Sequence, residues 1–303
     1  MILFKQMLIL FFLMLLGYGM ARKGIIDKKV SKSISWLIVN IANPALILSG
    51  SQGNTIEKKE LLFTLMLAVG MFVILIVAAE LVIPLFRFEK KDAGVYKVML
   101  VFSNMGFMGF PIIAAMYGTK ALLYASVFLL PFNILIYTYG IFCMSEQKMG
   151  IRETVMKFLN IGLLAGILSL LLAVAQITLP DIVGQTIDLL SNLTAPLCMM
   201  VIGASFVEIS FQELFCDRKL LLFSGMKLIL IPLAGMFLIR LVTDDAMLSG
   251  VSFIVLAAPA GSMAAMLAQQ YDGNYLTASR GIALTTLLSV ITMPLLFAVM
   301  GLK

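Results

Sequence analysis

Residues 103–118 read SNMGFMGFPIIAAMYG, and residues 256–274 read LAAPAGSMAAMLAQQYDGN. Both lie inside long apolar segments and carry residues that interrupt a helix. The first holds Ser103, Asn104, Gly106, Gly109 and Pro111; the second holds Pro259, Gly261 and Ser262. Proline has no amide hydrogen, and its ring presses on the carbonyl four residues back. A helix broken within an apolar segment presents a fresh N-terminus. Its unpaired amides and dipole carry about half a positive charge, and such ends bind anions. The amides expected to serve are those of residues 112–114 and 262–264. Further polar groups lie on neighbouring segments: Asn133 and Tyr137, Thr285, Thr286 and Ser289, Asn40 and Asn43 beside Pro44, and Asn192 beside Pro196. Singly, each serves equally well as glue between helices. Grouped around two breaks, Asn43, Ser103, Asn104, Asn133, Ser262 and Thr286 form a candidate site for an anion.

Missing acids narrow the chemistry. No Asp or Glu lies between Asp92 and Glu146, or between Asp245 and Asp272. A cation–proton exchanger needs carboxylates at such breaks, whereas an amide-rich site suits an organic anion or a neutral solute. No Lys or Arg is expected at the breaks either. Glu80 and Lys227 stand out as ionisable groups inside apolar segments, each roughly 10 Å from a segment end at the helical rise per residue. Two readings are open. They are partners or proton-coupling groups, or Lys227 snorkels and Glu80 is solvated.

The elements that must position these residues are membrane helices. Of 303 residues, 61% are hydrophobic and 13% are charged, with a mean hydropathy of +1.06. A soluble domain is about half apolar and about a quarter charged. Spans need about 20 apolar residues, and ten are expected: 2–21, 33–50, 61–86, 95–118, 121–144, 156–177, 187–207, 219–240, 247–271 and 276–300. The short connections leave no room for a soluble enzymatic module. Arg22, Lys23, Lys28, Lys29 and Lys32 follow the first span while only Lys5 lies in or before it, so this is a retained span, not a cleaved leader. Loops after the odd-numbered spans and their flanks hold most of the Lys and Arg. These include Arg87, Lys91, Lys148, Arg152, Arg218 and Arg280. The positive-inside rule then sets both termini outside. The net charge of +6 is this topology signal, and no nucleic-acid partner is indicated. Three cysteines (Cys143, Cys198, Cys216) and no histidine point to neither a disulfide framework nor a metal site, and no cofactor is expected. The 22 methionines read as pliant packing.

The halves echo one another. NIANPALILSG at 40–50 resembles NLTAPLCMMVIG at 192–203, pairing Asn40 with Asn192 and Pro44 with Pro196, and the same offset pairs Gly109 with Gly261. Two units follow, 1–155 and 156–303, each with five spans. An odd count inverts the second, as in secondary transporters, whose binding sites lie at paired interrupted spans.

NPALIL, SNMGFMGFPI, APAGSMAAMLAQQYDGN and TTLLSVITMPLL resemble the auxin efflux carrier family of membrane transport proteins, in its short prokaryotic form, over essentially the whole chain. The resemblance implies an all-α, ten-span fold of two inverted five-span repeats. Spans 1, 2, 6 and 7 would form a scaffold and homodimer surface. Spans 3–5 and 8–10 would form a transport domain that moves as an elevator, with broken helices crossing in spans 4 and 9. It implies a carrier of small organic anions such as carboxylates in the cell membrane, and it places Asn104, Pro111 and Pro259 at the crossover. Plant members keep an acidic–basic pair in the transport domain, for which Glu80 and Lys227 are the candidates. The alternative is a sodium-coupled symporter of the bile-acid carrier type, which shares the architecture but needs acids near the crossover. An intramembrane enzyme would need a nucleophile–base pair or metal set, and the apolar segments offer none.

Overall fold

A computed structural model describes residues 2–88, 90–144, 161–208, 211–271 and 273–302. Among them it is all helix, without a strand; the only extended pairing is an isolated antiparallel bridge between Ser103 and Ala260. In chain order the main elements are α1 (Ile2–Arg22), α2 (Lys28–Ser49), α3 (Lys58–Phe86), α4 (Lys90–Val101), α5 (Met105–Tyr117), α6 (Ala121–Met144), α7 (Ile161–Ala175), α8 (Asp181–Ser205), α9 (Arg218–Arg240), α10 (Ala246–Ala257), α11 (Met263–Gln270) and α12 (Tyr275–Val299).

Seven described helices are long and apolar enough to cross a membrane: α1, α2, α3, α6, α8, α9 and α12. Their large apolar side chains that face outward, such as Phe12, Trp36, Leu81 and Ile291, have lipid as their natural surroundings. The chain is therefore a multi-pass membrane protein. Three of the expected spans are absent from this set. Expected span 4 is divided into α4 and α5, and span 9 into α10 and α11, so each half is too short. The start of span 6 (156–160) and the proposed 155/156 boundary lie outside the described residues, as do Lys148 and Arg152 in the preceding loop.

Polar residues at the ends start these helices. Asp27 accepts from the Val30 amide (2.7 Å), Asp217 from those of Lys219 and Leu220, Asp245 from Leu248 (2.6 Å) and Asn274 from Thr277. Glu57 and Glu60 form a reciprocal capping box on α3. Each satisfies amides that have no partner in the first turn.

Three prolines inside the spans are accommodated in the same way, whereas Pro131 and Pro294 lie within regular α-helix. Pro44, Pro111 and Pro232 each follow a π-helical turn, at Ile38–Ala42, Met105–Gly109 and Met226–Leu230. Widening the preceding turn relieves the ring's clash with the carbonyl four residues back. At Pro196 the helix is interrupted instead at residues 192–193.

Tight packing joins α1 to the second half of α8. A Cβ at Gly17 would overlap the Met200 carbonyl, and one at Gly203 would overlap that of Met14. The contact is reciprocal, glycine against the residue three before the other glycine, and only small residues permit it. α7 packs on α6 and on the end of α2, where Ser169 donates to the Ile47 carbonyl (3.0 Å). Phe72, Phe102 and Phe132 join α3, the α4–α5 break and α6, with ring centroids 5.4–6.3 Å apart.

Candidate functional site

The two interrupted segments meet at mid-chain of their apolar runs. Residues 102–104 leave the helical path between α4 and α5, and residues 258–262 leave it between α10 and α11. The unwound peptides lie antiparallel. The Asn104 amide donates to the Pro259 carbonyl (2.8 Å), and the Gly261 amide to that of Phe102 (2.9 Å). Backbone groups freed within an apolar slab must find partners inside the protein, and each break supplies them to the other. Gly261 is a steric requirement here. A Cβ on it would lie 3.0 Å from the Phe102 carbonyl oxygen and 3.1 Å from that of Ser103.

Side chains meet further freed groups. The Ala260 amide donates to Thr285 Oγ1 (3.2 Å) on α12, whose hydroxyl donates to the Gly281 carbonyl. Asn104 caps α5: its Oδ1 accepts from the Phe107 amide (3.3 Å), while its carbonyl takes those of Met108 and Gly109. Lys227 closes the set. It is fully buried, and its ammonium donates to the Leu100 carbonyl (2.9 Å) and to Ser103 Oγ (2.7 Å). No carboxylate lies within ion-pair distance of it among the described residues. The widened turn of α9 that precedes Pro232 contains Lys227, and such turns recur at functional sites.

Three expectations need correction. The break in the first segment lies at 102–104, so the amides of residues 112–114 are inside α5, not at its start. Pro111 falls at the first α-helical turn after the π turn, where its missing N–H is tolerated. The breaks do carry a cation, Lys227, which neither snorkels nor lies at an edge. Glu80 and Lys227 are not partners. Glu80 pairs with Lys97 (2.6 Å) and accepts from the Tyr139 hydroxyl (2.7 Å), tying α3 to α4 and α6.

Of the candidate residues, Ser103, Asn104, Pro259, Gly261 and Lys227 come together at the crossing. Ser262 heads α11, where the Ala264 amide is already taken by the Gly261 carbonyl. Asn43 reaches α5 from α2, since a Cβ at Gly106 would sit 3.1 Å from its Nδ2. Its Oδ1 and the Thr286 hydroxyl are buried without a partner. Gly109 has room for a methyl group, so neither contact nor backbone demands a glycine there. Asn133 is buried and donates to the Leu129 carbonyl of its own helix. The roles of the Leu100 carbonyl and of Lys97 and Tyr139 were not visible in sequence. The KLILIP run at 227–232, a lysine one turn before a mid-span proline, is the signal that marks Lys227.

Interrupted helices that cross around polar groups are the arrangement of secondary transporters. The family described as "Membrane transport protein" matches residues 2–158 and 154–297, and the chain belongs to it; this is the auxin efflux carrier family. It is similar to an uncharacterized transporter of Methanocaldococcus jannaschii, 25% identical over 302 residues, covering 95% of this chain and 96% of that one. It is also similar to an uncharacterized transporter of Methanothermobacter thermautotrophicus, 22% identical over 294 residues and 93% of each chain.

Proposed function

We propose that the protein is a secondary carrier, not an enzyme, that moves a small organic anion such as a carboxylate across the cell membrane. The observation that carries this reading is the crossing of two unwound segments beside a buried ammonium that has no carboxylate partner among the described residues. A buried charge without a counter-charge is costly, and an arriving carboxylate offsets that cost. The helix ends α5 and α11, the unpartnered Thr286 hydroxyl, and the side-chain amide N–H groups of Asn43 and Asn104 supply polar surroundings that can adapt to an anion and release it.

The same reading takes the fold as ten spans in two inverted five-span repeats. Its support is the antiparallel meeting of residues 102–104 with 258–262, one from each half, together with the three apolar segments that the breaks and the described limits shorten. In this account spans 1, 2, 6 and 7 are the scaffold, spans 3–5 and 8–10 move as an elevator, two copies associate, and both termini lie outside. The sodium-coupled alternative is disfavoured by Lys227, whose ammonium already engages the Leu100 carbonyl that a sodium ion would seek. Uptake of radiolabelled dicarboxylates into proteoliposomes, with and without sodium, tests the proposal. Uptake that proceeds without sodium supports it, and strict sodium dependence favours the alternative.

A further inference from the structure

Away from the crossing, α3 and α9 flank a groove of about 430 Å³ whose floor is Leu256 of α10. Met66, Gly70 and Ile74 form one wall, and Ala234 and Leu238 form much of the other. The whole lining is apolar. Met66, Ile74 and Leu238 are well exposed, and so are Val69, Val73 and Phe237 on the same helices. The groove therefore opens on the surface that meets the bilayer interior. Water gains nothing in an apolar space without hydrogen-bond partners, so hydrocarbon must fill it.

Gly70 adds a separate observation. It sits in the middle of α3 among Leu, Val, Ile and Phe, with no positive φ, and a Cβ built on it meets nothing within 4 Å. Neither backbone conformation nor any neighbouring side chain requires a glycine, a residue that weakens a helix interior. What it does provide is clearance in the groove wall. Across from it Gly235 is different, since a Cβ there would press on Leu256.

We infer that this groove is a binding seat for one acyl chain of a membrane phospholipid, with Gly70 providing the depth that admits the chain. A wholly apolar cleft that runs along α3 from Phe63 to Ala78 and opens sideways to lipid fits a flexible methylene chain. The chain would wedge between α3 and α9, held by apolar contact alone.

Trp36 is the only tryptophan, so a Trp36→Phe background makes a single introduced tryptophan a clean reporter. Ile74→Trp places it on the groove wall, and Ile291→Trp on an exposed face of α12. The purified protein is placed in bilayers containing a small fraction of phospholipid with brominated chains. The tryptophan at 74 is expected to be quenched about twice as strongly as that at 291, because apolar burial retains a chain in the groove, and adding Gly70→Phe should abolish the difference. Equal quenching at the two positions overturns the inference, as does an excess that survives Gly70→Phe. Native mass spectrometry of the unaltered chain gives an independent reading. A phospholipid retained by the wild type and lost from Gly70→Phe supports the seat; a wild type that sheds all lipid as readily as the variant contradicts it.

Discussion

The Lys227 ammonium lies 2.7 Å from Ser103 Oγ and 2.9 Å from the Leu100 carbonyl oxygen, so a side chain of α9 closes the break between α4 and α5. Lys227→Met removes the cation and leaves a buried carbonyl without a donor, at a cost of about 1–3 kcal/mol. A lower unfolding temperature in detergent is expected, with loss of anion uptake. Ser103→Ala keeps the carbonyl contact and should cost less than Lys227→Met on both measures.

Backbone crossing makes Gly261 and Gly109 unequal. Gly261→Ala forces a methyl group against two carbonyl oxygens, and overpacking of this kind costs about 1–3 kcal/mol. Gly109→Ala meets only ordinary contacts at 3.7 Å inside a helix. Transport assays of both, normalised to inserted protein, should show a large defect for Gly261→Ala and near wild-type uptake for Gly109→Ala.

Glu80 is structural in this account. Its carboxylate is already held by the Lys97 ammonium and the Tyr139 hydroxyl. Glu80→Gln should leave the pH profile of uptake unchanged. A profile that flattens in Glu80→Gln would make this carboxylate a proton-coupling group after all.

In the proposed orientation Lys29 lies inside and Lys58 outside. After replacement of Cys143, Cys198 and Cys216, single cysteines at positions 29 and 58 should react oppositely with an impermeant thiol reagent on intact cells. Labelling at 29 but not at 58 would reverse the proposed orientation.

Much of the fold was legible because apolar runs in lipid leave the backbone little choice. Expected spans 121–144 and 276–300 correspond to helices Ala121–Met144 and Tyr275–Val299. The breaks were legible from Asn104, Pro259 and Gly261, residues poorly suited to an uninterrupted helix. The exact place of the first break was not. Pro111 reads as a breaker, yet the π turn at Met105–Gly109 absorbs its ring, and the chain unwinds where Asn104 can cap the next helix. The partners of Glu80 and Lys227 were hidden for a related reason. Depth along a helix can be counted from sequence, but the direction a side chain faces shifts when a π turn intervenes, as it does at Met226–Leu230.

The most direct test of an anion site at the crossing is ligand binding to the purified protein. A panel of small carboxylates, amines and metal salts is titrated by thermal shift against the wild type and Lys227→Met. Helix ends contribute up to about 2 kcal/mol each, the Lys227 ammonium adds to them, and each tenfold in affinity needs about 1.4 kcal/mol, so weak binding, roughly micromolar to millimolar, is expected. The account predicts that one or more carboxylates stabilise the wild type without sodium, and that Lys227→Met loses the effect. Stabilisation by amines or metal cations alone, with no carboxylate active, would contradict it.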